Sequence, residues 1–194
     1  MGLRVVRAVD GIAQRWRNGG GTTVEIARAG RGSPAWRLSR AEIVQDGVFS
    51  AFPELQRLQL LCRGNGFVLR FPDGAERRVL PGEAALAYPG APAPDCRLLD
   101  GPCEALNLLW DGGACTAAME RVGLAKGLSP WIEPDDLLAV HVLAGQAEWR
   151  GRDEHARLRA GDSLLRDAGP VRGLVLQGCA ELAIVRLRPL PVPG

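Results

Sequence analysis

The chain has 194 residues, of which 46% are hydrophobic and 24% are charged, and this length suffices for one large or two small folded domains. The formal net charge of +2 does not point to a nucleic-acid partner. No apolar run approaches the roughly 18 residues that a membrane span needs, and Met1–Asp10 lacks the apolar core of a signal peptide. The sequence therefore predicts a cytoplasmic protein with neither a nucleic acid nor a membrane as its partner.

Cysteine and histidine contents bear on disulfides and metals. The five cysteines form no Cys-x-x-Cys pair, and their odd number does not suit a complete disulfide framework, which fits a reducing compartment. The two histidines, His141 and His155, stand far apart in the sequence without the spacing of a metal site. We therefore expect no metal ligands and no cofactor.

The segment Trp16–Glu25 is the first informative element, because it combines an amide, two hydroxyls and a carboxylate with three consecutive glycines. Glycine permits sharp bends and close approach of other atoms to the backbone. One interpretation is a loop that leads into a strand, with Thr23 and Glu25 on the same face. The alternative is a Gly-rich hairpin or bulge with solvated Thr and Glu side chains.

Short apolar or alternating runs then recur between Gly, Pro and Asp clusters, a pattern typical of antiparallel sandwiches and barrels. One segment differs: Thr116–Lys126 is rich in apolar residues and has no proline, which predicts a short helix between two β halves. The predicted strands are Ala35–Val44, Arg57–Cys62, Gly66–Phe71, Glu83–Tyr88, Cys103–Trp110, Leu137–Leu143, Ala147–Arg150, Ser163–Arg166 and Ala180–Leu187.

An internal repeat relates the two β halves. Gly64 and Gly82 enclose a strand and a charged turn in the first copy, and Gly145 and Gly161 do so in the second. This order is typical of small cupin-type jelly rolls, although a Gly-rich all-β sequence can produce it by chance. The fold class is therefore predicted as an all-β bicupin: two cupin-like jelly-roll β-barrels, at residues 1–112 and 131–194, with a helical connector at 113–130, forming one compact unit. Many cupins hold a metal with a His-x-His pair, a Glu and a later His, and neither half contains that set.

Four sequence blocks, in order along nearly the whole chain, resemble a known family. They are Trp16–Glu25, similar to Trp-x-Asn-Gly-Gly-Gly-x-Thr-x-Glu; Trp36–Ala41, similar to Trp-Arg-x-Ser-x-Ala; Gly47–Arg57, similar to Gly-Pro-Phe-Ser-x-Phe-Pro-Gly-x-Asp-Arg; and Gly101–Leu109, similar to Gly-Pro followed by Asp-Phe-Asn-Leu-Met. On these blocks the chain resembles the HutD/Ves family of bacterial bicupins. It departs from the family pattern at Glu54, where Gly is usual, and at Gln56 and Ala105, where Asp is usual.

Strand alternation provides a test of whether these blocks converge. Arg37, Ser39 and Ala41 share a face of their strand, and Asn107 points away from its leucine neighbours. The family blocks and the alternation together predict a ligand-binding site made of Asn18, Thr23, Glu25, Arg37, Ser39, Ser50, Phe52, Arg57 and Asn107. A buried arginine needs a counter-charge, from Glu25 or from a bound anion. The alternative is a structural ion pair between Glu25 and an arginine, with no ligand.

The HutD branch is linked with bacterial histidine utilisation. The resemblance therefore implies a metal-independent protein that senses or buffers a small carboxylate metabolite of that pathway, such as N-formylglutamate or urocanate. The alternative is a metal-free cupin enzyme, similar to an isomerase or epimerase, with Glu25 as general base. The sequence shows no second acid or base for it, which favours the binding protein. A third interpretation is a protein-binding module with an exposed apolar patch, and exposed sheet edges would allow a homodimer.

Overall fold

The computed structural model describes residues 2–29, 35–125, 132, 136–150, 155–167 and 174–191. Their regular elements are strands and one 3-10 turn, Ala8–Asp10, which confirms the all-β prediction. No helix in these ranges is long and apolar enough to cross a membrane. The strands are β1 (Leu3–Val6), β2 (Ala13–Arg15), β3 (Gly21–Arg28), β4 (Trp36–Ile43), β5 (Gly47–Val48), β6 (Leu55–Arg63), β7 (Phe67–Arg70), β8 (Glu76–Val79), β9 (Leu86–Pro89), β10 (Asp95–Leu98), β11 (Cys103–Asp111), β12 (Cys115–Leu124), β13 (Leu137–Arg150), β14 (His155–Arg159), β15 (Ser163–Arg166) and β16 (Leu176–Pro189).

Contacts divide the chain into two compact units. The N-terminal unit comprises Gly11–Thr116 with Pro189–Gly194, and the C-terminal unit comprises Met1–Asp10 with Ala117–Arg188. The division differs from the predicted halves in its first residues, because β1 pairs with β15 and so belongs to the C-terminal unit. The described strands form open sheets and not the closed jelly-roll barrels that the sequence predicted.

The N-terminal unit contains a six-stranded sheet, in the order β2-β3-β4-β11-β6-β9, and a four-stranded sheet, in the order β5-β10-β7-β8. Antiparallel pairing places Leu108 of β11 between Leu38 of β4 and Leu58 of β6. All three leucines are buried, so one face of the six-stranded sheet is aliphatic. Since side chains alternate along a strand, the residues between these leucines lie on the opposite face.

A second core of the N-terminal unit joins its two sheets. Phe67 and Leu69 of β7 are fully buried and belong to one cluster with Ile43 of β4 and Leu61 of β6. Burial of each such side chain contributes about 1.5–3 kcal/mol. The cluster also contains Phe49, so it anchors the start of the loop that follows β5.

In the C-terminal unit, β1, β15, β13, β16 and β12 form one sheet in that order, with β14 paired to β13. The two fourteen-residue strands β13 and β16 are its centre, and Val140, Val142 and Ile184 contribute to its apolar core. Each predicted strand overlaps an observed one, and the predictions at Leu137–Leu143 and Ala147–Arg150 are two parts of β13.

The predicted connecting helix is wrong, because Cys115–Leu124 is the strand β12. Its alanines favour a helix by intrinsic propensity, but β12 pairs with β16 and buries Met119 and Leu124, and tertiary packing overrides propensity. The rest of that prediction, residues 126–130, lies outside the described residues.

The glycines of the internal repeat occupy equivalent backbone conformations. Gly64 and Gly82 have φ of 96° and 77°, and Gly145 and Gly161 have φ of 77° and 90°. A side chain at Gly64 would place its Cβ 2.6 Å from the Pro102 carbonyl oxygen. All four glycines thus have positive φ, although Gly145 lies within the strand β13.

Candidate ligand-binding site

Two rows of side chains cross the non-aliphatic face of the six-stranded sheet. Strand register places Asn107 between Ser39 and Gln59, and the adjacent row runs Arg37, Leu109, Arg57. The register therefore brings Arg37, Ser39, Arg57 and Asn107, four of the predicted site residues, to one face of the sheet.

These rows line a cavity of about 190 Å³ in the N-terminal unit, which we call the arginine pocket. It is lined by Gln14, Arg15, Trp16, Thr23, Arg37, Ser39, Ala41, Phe49, Ser50, Phe52, Arg57, Gln59, Asn107 and Leu109. Seven of the nine predicted site residues are in this set: Thr23, Arg37, Ser39, Ser50, Phe52, Arg57 and Asn107. The lining contains three arginines and no Asp, Glu, His or Cys.

Arg57 is held in place by neutral groups. Its Nη1 donates to the Tyr88 hydroxyl at 3.3 Å, and its Nη2 donates to the Ser50 carbonyl oxygen at 3.1 Å. The guanidinium carbon also lies 5.2–5.7 Å from the ring centroids of Phe49, Phe52 and Tyr88. Only 6% of the residue is exposed, and no carboxylate of the described chain forms an ion pair with it. Cation–π contacts attract the guanidinium without neutralising its charge.

Arg37 is a second cation of the same pocket. Its guanidinium carbon lies 5.2 Å from the centroid of the Phe52 ring, and its buried Nε has no hydrogen-bond partner. Burial lowers the pKa of Arg37, Glu25 opposes that shift, and Arg28 and Arg57 add to it. An arginine remains charged in proteins, so the pocket contains desolvated positive charge that a bound anion would stabilise.

A hydrogen-bonded chain behind Arg57 includes two residues that the sequence analysis did not single out. The Tyr88 hydroxyl donates to Gln59 Oε1 in a short hydrogen bond. Burial raises the pKa of Tyr88 to about 12, so the hydroxyl keeps its proton at neutral pH. In the same polar row as Gln59, Asn107 donates from Nδ2 to the Ala105 carbonyl oxygen at 3.4 Å, while its buried Oδ1 has no partner.

Asn18, a predicted ligand residue, is not part of the lining. Its Oδ1 accepts from the Gly20 amide at 3.0 Å, and its Nδ2 donates to the Val48 carbonyl oxygen at 3.1 Å. Both polar atoms of the amide thus bind backbone groups. The surrounding glycines form the turn of the β2–β3 hairpin, where a Cβ on Gly21 would lie 2.0 Å from the Glu42 carbonyl oxygen. The segment is therefore a Gly-rich hairpin turn that leads into the strand β3, so it combines features of both alternatives, and Thr23 lines the arginine pocket.

Glu25 is also absent from the lining. Its two carboxylate oxygens accept from Nε and Nη2 of Arg28, at 2.6 and 2.7 Å. Parallel hydrogen bonds of this kind are the strongest arginine–carboxylate geometry. The structure therefore contains the structural ion pair that the sequence analysis left open.

A second cavity of about 300 Å³ adjoins the arginine pocket and shares Arg37, Phe52 and Leu109 with it. Its remaining lining is mostly apolar and includes Trp36 and Leu55. Arg37 and Phe52 therefore lie between a polar cavity and a largely apolar one.

The arginine pocket does not fit the metal that many cupins hold. Its lining offers none of the His, Cys, Asp or Glu ligands that such a metal would need. Across the described ranges of both units, no group of three or more such side chains is arranged to hold a metal ion. His141 is buried in the C-terminal unit, where its Nδ1 lies 2.8 Å from Ser163 Oγ.

The three departures from the family pattern lie outside the lining of the arginine pocket. Glu54 has a φ of 69°, a left-handed conformation that favours glycine, which explains why Gly is usual there. Ala105 is fully buried and contributes to the core between the two sheets. Gln56 packs against Gly112, where a Cβ would lie 2.7 Å from Gln56 Cγ.

The described strands form antiparallel sheets in both units, and a solved structure shows that this fold is cupin-like. A cupin 2 conserved barrel domain protein from Leptotrichia buccalis has a TM-score of 0.62 and 11% identity, over 95% of this chain and 96% of that one, so it is similar in fold alone. The HutD family model matches residues 8–184, and the chain belongs to the HutD family.

Individual relatives agree with this assignment. A conserved protein of unknown function from Pseudomonas aeruginosa is 30% identical with a TM-score of 0.84, and HutD from Pseudomonas fluorescens, solved in a formate condition, is 29% identical with a TM-score of 0.79. Each comparison covers 97% of this chain and 100% of the other. An uncharacterized 21.2 kDa protein of Pseudomonas putida from the region 3′ of hutC is 38% identical over 111 residues, which are 56% of this chain and 58% of that protein.

Proposed function

We propose that the chain is a metal-independent binding protein that senses or buffers a small carboxylate metabolite of histidine utilisation, either N-formylglutamate or urocanate. The composition of the arginine pocket carries this proposal, because its lining contains three arginines and no carboxylate. We also propose that the two units are the two cupin-like halves of a bicupin, and that the arginine pocket is the ligand site of the first.

The chemistry of the pocket favours an anion. A guanidinium binds a carboxylate through two parallel hydrogen bonds, and each charge-assisted bond contributes about 1.5–3 kcal/mol. Arg37 and Arg57 repel each other in a partly desolvated cavity. A ligand carboxylate bound between them would offset this repulsion. Ser39 and Gln59 add a hydroxyl and an amide to the same surface.

The identity of the metabolite is inferred from the family rather than from the pocket alone. HutD proteins are linked with histidine utilisation, and the Pseudomonas putida relative is described by its position beside hutC. N-Formylglutamate carries two carboxylates and urocanate carries one, so each offers the acceptor-only group that the arginines bind.

The enzyme alternative loses support from the position of its base. Glu25 is engaged by Arg28 through both oxygens and is not part of the pocket lining. A general base must come within hydrogen-bond reach of the proton that it removes. The binding function therefore fits the geometry better than a reaction that depends on Glu25.

Calorimetric titration with N-formylglutamate, urocanate, histidine and glutamate tests the proposal. We expect saturable binding of one of the first two, and at least a tenfold loss of affinity, about 1.4 kcal/mol, in Arg37→Ala and in Arg57→Ala. Arg70→Ala is the matched control, because Arg70 is an exposed arginine of the same unit that pairs with Glu76. Unchanged affinity in both pocket variants, or no binding of any of these compounds to the parent protein, would overturn the proposal.

A further inference from the structure

We infer that Tyr88 and Gln59 determine the hydrogen-bonding polarity of the arginine pocket, and that through Gln59 they select a carboxylate over the corresponding carboxamide. Neither residue lies in the four sequence blocks on which the family resemblance rests, and neither was predicted as a ligand residue. The inference rests on the proposed function, because it concerns how the same pocket discriminates between ligands.

The direction of the hydrogen bonds in this chain is fixed by chemistry. A guanidinium has donors and no acceptor, so the Tyr88 oxygen must accept from Arg57 Nη1, 3.3 Å away. The single hydroxyl proton of Tyr88 is then given to Gln59 Oε1. Exposed fractions of 6%, 6% and 2% for Arg57, Tyr88 and Gln59 leave little water to compete for these bonds.

Gln59 therefore presents one end of its amide to the ligand. Its oxygen is occupied by Tyr88, and its Nε2 has no hydrogen-bond partner within the described part of the chain. Because Gln59 lines the pocket, the free N–H groups of Nε2 are available to a ligand oxygen. A carboxylate can accept there with either oxygen, whereas a carboxamide would have to turn its oxygen to Gln59 and lose the second acceptor that the arginines require.

Neighbouring groups have the same polarity. The hydroxyl oxygen of Thr23 accepts from Trp16 Nε1 at 2.7 Å, which leaves the hydroxyl proton free to be donated. Asn107 does not add to the free donors, because its Nδ2 binds the Ala105 carbonyl oxygen, and its Oδ1 is buried without a partner. The free groups beside the two arginines, the N–H groups of Gln59 and the hydroxyl proton of Thr23, are thus donors, and a ligand group with only acceptors is their complement.

Tyr88 also has a packing role, which the test must separate from its polar role. Its ring meets the Phe71 ring edge to face at a centroid distance of 5.4 Å, and it belongs to the core between the two sheets. Tyr88→Phe keeps the ring and removes only the hydroxyl. The matched control, Phe71→Leu, disturbs the same packing and leaves the hydroxyl in place.

The experiment measures the affinities of the intact protein for N-formyl-L-glutamate and for its α- and γ-monoamides, or for urocanate and its carboxamide if urocanate is the acid that binds. We expect the parent protein to bind the acid at least tenfold more tightly than one matching amide. In Tyr88→Phe, the Gln59 amide is free to rotate and offer its oxygen, so this ratio should fall at least threefold. In Phe71→Leu the melting temperature should fall while the ratio is unchanged.

A second variant reverses the polarity directly. Gln59→Glu can still accept from Tyr88, but it replaces the amide donor with a negative oxygen beside Arg57, so binding of the acid should fall at least a hundredfold without loss of the folded circular-dichroism spectrum. An acid-to-amide ratio that is the same in the parent protein and Tyr88→Phe, or full affinity for the acid in Gln59→Glu, would overturn this inference alone. A parent protein that binds none of the acids would overturn the proposed function as well.

Discussion

Trp16 donates its indole N–H to the hydroxyl oxygen of Thr23 at 2.7 Å, across the hairpin formed by β2 and β3. The indole ring also meets the Phe49 ring edge to face, at a centroid distance of 5.8 Å. The tryptophan and threonine of the first family block are thus partners, and together they connect the hairpin to the wall of the arginine pocket.

Replacement of Thr23 by Val should destabilise the protein by about 1–2 kcal/mol, because it leaves a partly buried indole N–H without an acceptor. Urea unfolding followed by tryptophan fluorescence measures the change. Thr22→Val is the control, since the Thr22 hydroxyl makes only an exposed contact of 3.4 Å with Glu42. Equal stability of the two variants would show that the Trp16–Thr23 bond contributes nothing.

Glu54→Gly should stabilise the protein. A side chain in the left-handed conformation costs about 1–2 kcal/mol, and Glu54 has a φ of 69°. Part of the gain is offset by the greater freedom of glycine in the unfolded chain, so a net gain of about 0.5–1 kcal/mol is expected in thermal unfolding. The same substitution at Glu83, where φ is not positive, should be neutral or destabilising, and a comparable gain there would contradict this explanation.

Gly21→Ala should destabilise the protein by at least ~2 kcal/mol. The added Cβ would lie 2.0 Å from the Glu42 carbonyl oxygen, a backbone atom that cannot move without breaking the β3–β4 pairing. Gly123→Ala is the matched control, because nothing lies within 4 Å of a Cβ there. Chemical denaturation of both variants provides the comparison, and a wild-type midpoint for Gly21→Ala would refute the steric argument.

Asp162 should make stability depend on acid pH. Burial alone would raise the pKa of Asp162, but hydrogen bonds from the Ala8 and Arg159 amides and from Arg7 lower it below its usual value. A carboxyl with a lowered pKa stabilises the folded state above its unfolded pKa, near ~3.9, and loses that contribution as the pH falls.

Denaturant unfolding at several pH values between 3 and 7 measures this effect. The free energy of unfolding should decrease less steeply towards pH 3 in Asp162→Asn than in the parent protein. Asp73→Asn is a control, because Asp73 makes one exposed bond, to the Ala75 amide. Parallel pH profiles for the parent and Asp162→Asn would contradict the expectation.

Strand alternation predicted that Arg37 and Ser39 share a face and that Asn107 points away from its leucine neighbours, because a period of two residues is a local property. That these side chains and Arg57 face the same side depends on the register between three strands. The role of Asn18 could not be read in the same way. A recurring motif marks a residue without stating whether its amide binds a ligand or, as here, the backbone of Gly20 and Val48.

The remaining differences arise from contacts between distant parts of the sequence. Tyr88 binds Arg57 from a position 31 residues later in the sequence, and no local sequence pattern predicts this contact. The helix predicted over Thr116–Lys126 failed for the same reason, since the alanines and Met119 are helix-compatible until β16 pairs with them.

The pairing of β1 with β15 joins two strands that are synthesised far apart in time. Val5 is opposite Leu164, so at about 5–20 residues per second the ribosome makes the first strand on the order of ten to thirty seconds before its partner. Throughout that interval the backbone of β1 is without its sheet and Leu3 is without its core. The C-terminal unit contains both strands, so it cannot complete its sheet until β15 has been made.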